Sequence, residues 1–200
     1  MDPKAINKAK GRLRVAEKAY SELPACPDYQ TFTDTWYTLL VAAKNVYTVL
    51  EQGSKVSAPS RQWFGAKKQA RKADDLLQYM FQARNDDEHG LEEVTKFDPG
   101  HIKIVRTVPG HSESFSIGKM VFGDGVFHVE GIKSHDGKPV AVDIKQPSID
   151  LVPVIGPGPV TFNPPTTHLG QAIFDPSPMG IGRLYLDYLA GIIRDAEGLA

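Results

Sequence analysis

Apolar residues recur at steps of three and four along most of the first ninety positions, the period at which one face of a helix repeats. Ile6, Ala9, Leu13, Ala16, Tyr20 and Leu23 form one stripe. Asp2 and Pro3 supply a cap and a proline at the first helical position, and Pro24 and Pro27 end the run. A second stripe, Phe32, Trp36, Leu39, Leu40, Ala43, Val46, Tyr47 and Leu50, is closed by Gly53. A third begins near Ser57-Ala58-Pro59 and follows Trp63, Ala66, Ala70, Ala73, Leu77, Met80 and Phe81. Stripes this regular predict three long helices in an antiparallel bundle, with Trp36, Trp63 and Phe81 filling its core.

From about residue 96 the texture changes. Eleven of the 15 prolines lie beyond this point, and short alternating segments replace the helical stripes. Ile102 and Ile104, Phe115 and Ile117, Val126 to Val129, Val140 to Ile144, and Leu151-Val152 read as strands. Gly123-Asp124-Gly125 and Asp136-Gly137 read as hairpin turns, because Asp-Gly tolerates the positive φ of tight turns. About four or five strands in a meander are expected. Pro153 to Pro165 is too stiff and donor-poor for a central strand. Ser177-Pro178 then opens a last helix whose apolar face carries Ile181, Leu184, Tyr185, Tyr188, Leu189, Ile192 and Ile193.

The expected fold class is therefore α+β. A helical bundle occupies residues 1–95, a β-rich region with a Pro-rich loop 96–176, and a C-terminal helix 177–200. That helix packs on the bundle or on the sheet, and three wide-striped helices with an open face favour the bundle.

A net charge of −1 gives no global pull toward nucleic acid or anionic membrane. Locally, Lys4, Lys8, Lys10, Arg12, Arg14 and Lys18 cluster on one segment, and Arg61, Lys67, Lys68, Arg71 and Lys72 on another. Such runs are either solvated helix faces or a surface for a polyanion. No apolar run reaches the roughly 18 residues needed to span a bilayer, and the N-terminus has no apolar signal core. Cys26 is the only cysteine, so neither an internal disulfide nor a thiolate metal cluster is expected. A reducing, cytoplasmic setting follows. His101, His111, His128, His135 and His168 are scattered, so no metal and no cofactor are expected.

The stretch Arg84-Asn85-Asp86-Asp87-Glu88-His89-Gly90 carries the chemistry. A guanidinium holds phosphate through a forked pair of hydrogen bonds, and an imidazole exchanges protons near neutral pH. On a helix, Asn85 and His89 share a face and Arg84 lies on its edge, where the third stripe ends. A structural account fits as well. Arg84 can pair with Asp87 or Glu88, His89 suits the C-terminal dipole, and Gly90 is a C-terminal cap.

Arg-Asn, three further residues, then His-Gly after long helices resembles the signature of the HEPN superfamily (higher-eukaryote and prokaryote nucleotide-binding). The resemblance covers the motif and the helical pattern of the first ninety residues. It implies a metal-independent endoribonuclease acting as a homodimer, with Arg84, Asn85 and His89 as catalytic residues facing a second copy across one cleft. His89 would move the protons, Arg84 would stabilise charge on the phosphate, and Asn85 would orient either. Asp86, Asp87 and Glu88 stand where the family usually has some apolar character, and three carboxylates there repel phosphate and favour a protonated His89. Two other readings stand beside this one. The first is a non-catalytic dimerisation or interaction module meeting a protein partner through the β-rich half. The second is a small-ligand or nucleotide binder using the cleft between the halves.

Overall fold

The computed structural model describes residues 1–89, 93–105, 115–123, 126–135, 141–156 and 160–200. A few side chains within those ranges, among them Asp87, Glu88 and His89, lie outside the described set. The fold is α+β, as the two textures of the chain imply. It divides into two units, Met1–Lys96 with Leu151–Ala200, and Phe97–Asp150.

In the first unit α1 spans Pro3–Glu22 and is capped by the Asp2 carboxylate, which accepts the Lys4 N–H at 2.8 Å. A 3-10 turn at Leu23–Ala25 leads to α2, Tyr29–Ser54, capped by Asp28. These two helices make the most extensive helix contact. Their stripes are the core: Ile6, Ala9, Leu13 and Ala16 meet Trp36, Leu39, Leu40, Val46 and Leu50, all buried.

Two expectations about these helices are corrected. Gly53 does not close α2; it lies inside the helix at the point where α1 approaches. A Cβ there would stand 2.2 Å from the Ala5 Cβ, and the Gly53 carbonyl accepts the Asp2 N–H. The residue is glycine for close approach, not for helix termination. Gly53→Ala is accordingly expected to lower stability by about 1–3 kcal/mol through overpacking, read as a fall in urea midpoint without a change in slope.

The third predicted helix is two. α3 spans Ala58–Ala73 and α4 Asp75–His89, with Asp74 extended between them (ψ 127°). The Asp74 carboxylate accepts the Leu77 N–H at 2.9 Å and so begins a new helix where the apolar period runs on. The buried face shifts with the break. Phe64 is buried and Trp63 only half-buried; on α4 the core residues are Leu76, Leu77, Tyr79, Met80 and Ala83. Phe81 and Arg84 are left half-buried at the edge.

The last helix, α5, spans Pro178–Glu197 with Ser177 as its cap, and its apolar face packs on α1, α2 and α4. Before it, β9 (Val154–Ile155) pairs with β10 (Thr161–Phe162), and β11 (Thr167–His168) with β12 (Gln171–Ala172). No helix among the described residues is long and apolar enough to cross a membrane.

The strands from 95 to 151 do not form a meander. They are β1 (Thr95–Asp98), β2 (His101–Val105), β3 (Phe115–Ser116), β4 (Lys119–Gly123), β5 (Val126–Glu130), β6 (Lys133–Ser134), β7 (Ala141–Lys145) and β8 (Ser148–Leu151). They pair in nested order, β4 with β5, β3 with β6, β2 with β7 and β1 with β8. Gly123 pairs with Val126, so the hairpin expected at Asp124-Gly125 is present in its flanking ladder, although those two residues lie outside the described set. With Gly123 paired to Val126 at the centre, each outer segment finds its partner on the returning strand instead of the next one in sequence. The second expected turn, Asp136-Gly137, lies outside the described residues.

Candidate functional site

The end of α4 carries the motif. Arg84 and Asn85 are half-buried on its last two turns, and His89 is its final helical residue, one turn beyond Asn85. Gly90, the expected C-terminal cap, lies outside the described residues.

Asn85 is oriented on both sides. Its Oδ1 accepts a hydrogen bond from Lys44 Nζ at 3.0 Å, and its Nδ2 donates to Gln82 Oε1 at 3.4 Å. Lys44 comes from the middle of α2, so the contact bridges two helices. Asp86 faces elsewhere: its Oδ2 accepts the backbone N–H of Ile155 at 3.0 Å. Of the three carboxylates expected beside the motif, this one is engaged with β9.

Positive charge gathers on the same edge. The Arg71 guanidinium, from the last turn of α3, stacks 3.8 Å above the Phe81 ring centroid and lies 5.4 Å from that of Tyr47. Lys44 Nζ is 5.6 Å from the same Phe81 ring. Partial burial lowers the Lys44 pKa from its ordinary value, and the neighbouring charges of Arg84 and Arg71 lower it further. Two helices thus bring two half-buried cations to one aromatic ring, and Arg84 on α4 adds its charge beside Lys44. Such an edge favours an anion, and its attraction is weakened by salt.

Sequence reasoning placed Arg71 only within a basic run and passed over Lys44. Lys44 had a signal: it follows Leu40 by four and Ala43 by one, a charged residue on the rim of the α2 stripe. Phe81, expected as core, is instead the platform on which the cations rest.

A second constellation lies at the other end of α4. The β11–β12 hairpin is clamped there by Asp74 and Asp75. Asp74 accepts the Leu169 N–H at 2.7 Å and pairs with His168 Nδ1 at 3.0 Å, while Thr167 Oγ1 donates to Asp75 at 2.6 Å. At the hairpin tip Leu169 adopts φ 50°, a left-handed conformation that costs a leucine free energy, and is held there by these bonds. A groove of about 590 Å³ beside it is lined by Tyr20, His168, Leu169, Phe174, Met179 and Arg183 among others. His168 and Leu169 belong to the Asn163–Gly170 stretch that leads toward the last helix. They build one wall of this groove.

Among the described residues no cluster of His, Cys, Asp or Glu is arranged to hold a metal ion. Comparison with protein-family models, with curated proteins and with solved structures finds no match, so the reading of the site rests on its own residues.

Proposed function

We propose that the chain is a HEPN-like, metal-independent endoribonuclease acting as a homodimer through Arg84, Asn85 and His89. The observation that supports this most is the Lys44–Asn85 hydrogen bond beside Arg84, which gathers donors and positive charge around two residues of the motif. A phosphodiester needs both: charge to bind it, and fixed donors to stabilise the extra negative charge at phosphorus in the transition state. The engagement of Asp86 with the Ile155 N–H turns one of the three carboxylates toward β9.

The chemistry is a transesterification. His89 accepts the proton of the ribose 2′-hydroxyl, or donates one to the departing 5′-oxygen; in a dimer the two copies of His89 divide these tasks. The 2′-oxygen bonds to phosphorus as the bond from phosphorus to the 5′-oxygen breaks, leaving a 2′,3′-cyclic phosphate and a 5′-hydroxyl. Arg84 neutralises the phosphorus oxygens, and Asn85, fixed by Lys44, orients the phosphate or the imidazole.

The nucleophile belongs to the substrate, so only RNA should react. Purified protein incubated with RNA in the presence of a chelator is expected to yield fragments ending in cyclic phosphate, with DNA of the same sequence left intact. RNA that survives unchanged across protein concentrations and pH ends this reading.

A further inference from the structure

We propose that Lys44 and Arg71 form an anion subsite that seats a backbone phosphate of the bound RNA beside the Arg84–Asn85 edge. The inference rests on the nuclease reading for its ligand, but on different residues for its geometry.

The basic side chains of the helical unit provide an internal control. Lys67 pairs with Asp195 at 2.7 Å, Lys68 with Glu51 at 2.9 Å, and Lys10 with Glu197. Arg71, one turn beyond Lys67 and Lys68 on the same helix, has no carboxylate within ion-pair distance among the described residues, and neither does Lys44. These two are also the half-buried cations that converge. With Lys67 and Lys68 paired one turn earlier, and with Lys44 and Arg71 half-buried and repelling one another, there is room here for an external counter-charge.

Their donors suit a tetrahedral oxyanion. Lys44 spends one of its three N–H donors on Asn85 and keeps two. The Arg71 guanidinium is fixed in plane by the Phe81 face, leaving its edge donors, which meet no acceptor among the described residues, for an oxygen pair. Burial lowers the Lys44 pKa most, and the charges of Arg84 and Arg71 lower it further; a bound phosphate offsets that charge repulsion. A phosphate between these groups lies next to Asn85, in line with the strand that Arg84 would engage.

The test uses Lys44→Met, Arg71→Met and Arg71→Lys, with a fluorescent 2′-O-methyl RNA that binds but has no 2′-hydroxyl to react. For wild type, affinity should fall steeply with potassium chloride. Each methionine variant should flatten the plot of log affinity against log salt by about 0.7 and weaken binding several-fold at low salt. Arg71→Lys should retain the salt slope because it retains the charge. In phosphate-free buffer Lys44→Met should melt close to wild type, since the repulsion it removes offsets the lost hydrogen bond to Asn85 and an apolar stem stays over Phe81. Unchanged slopes in both methionine variants overturn the proposal, and so does a lower melting temperature with unchanged binding, which marks a structural role. Melting in sodium phosphate at matched ionic strength separates the sources: a rise with phosphate and no RNA binding means free phosphate is the ligand, and the backbone assignment fails. RNA binding that depends on Lys44 and Arg71 without any cleavage leaves the subsite standing and removes the nuclease. Cleavage that needs His89 but keeps its KM in both methionine variants does the reverse.

Discussion

His89→Ala should reduce RNA cleavage by about 10²–10⁴-fold, the usual contribution of a positioned general acid or base. The residue closes α4, six positions past Ala83, the last core position of this helix among the described side chains. Its loss should therefore leave the far-UV circular dichroism unchanged and the stability within about 0.5 kcal/mol. Arg84→Lys gives the companion result. Lysine keeps the charge but loses the planar fork that matches two phosphate oxygens, so kcat should drop while RNA still binds. Because Arg84 and Lys44 feel one another's charge, Arg84→Ala should also raise the Lys44 pKa toward its ordinary value. Equal cleavage by wild type and His89→Ala would remove the proposed chemistry, whatever the fate of the anion subsite.

Asp74→Ala is the substitution expected to damage the fold most. Its carboxylate is 9% exposed and serves three partners: the Leu77 N–H that starts α4, the Leu169 N–H at the hairpin tip, and the His168 ring. Removing it costs about 1 kcal/mol for the helix cap and about 1 kcal/mol for each of the lost bonds to the Leu169 N–H and the His168 ring. A total of about 3 kcal/mol should appear as a lower urea midpoint. Leu169 should lose the support for its left-handed backbone at the same time, loosening one wall of the adjacent groove.

The same carboxylate sets a pH dependence. Burial works against its charge, but the Leu169 and Leu77 amides and His168 outweigh it, and the folded pKa lies below the ordinary value. Between the folded value and the unfolded one of about 3.9, the unfolded chain binds more protons, so stability rises with pH. The contribution is complete above that unfolded value and disappears as pH falls through the folded one. Asp74→Asn should show a shallower loss of stability in acid than wild type, measured by urea midpoints from neutral pH downward. An Asp74→Ala protein as stable as wild type at neutral pH would mean that the cap and clamp contribute nothing.

Periodicity by itself determined the helical core of this protein. Ile6 to Leu13, Phe32 to Leu50 and Ile181 to Ile193 fall on buried faces because a 3.6-residue period leaves one geometry in which so many apolar side chains escape water. It was blind to the break at Asp74, because the apolar spacing runs through Ala73 to Leu77 without interruption. A local signal was nevertheless there: Arg71 and Lys72 give way to Asp74 and Asp75, the charge reversal that suits one helix ending and another starting. Gly53 could not be read correctly either, since its meaning depends on Ala5, 48 positions earlier, arriving against it.

The candidate site divides in the same way. Arg84, Asn85 and His89 are neighbours on one helix, so their grouping is written in adjacent letters. Lys44, Arg71 and Phe81 belong to three different helices, and only the packing of α2, α3 and α4 places two cations over one ring. Whether Asp86 opposes a phosphate or bonds to Ile155 was also decided by tertiary contact. Composition and spacing specify what a segment can do along its own axis; charges that meet across helices acquire their chemistry from the fold that brings them together.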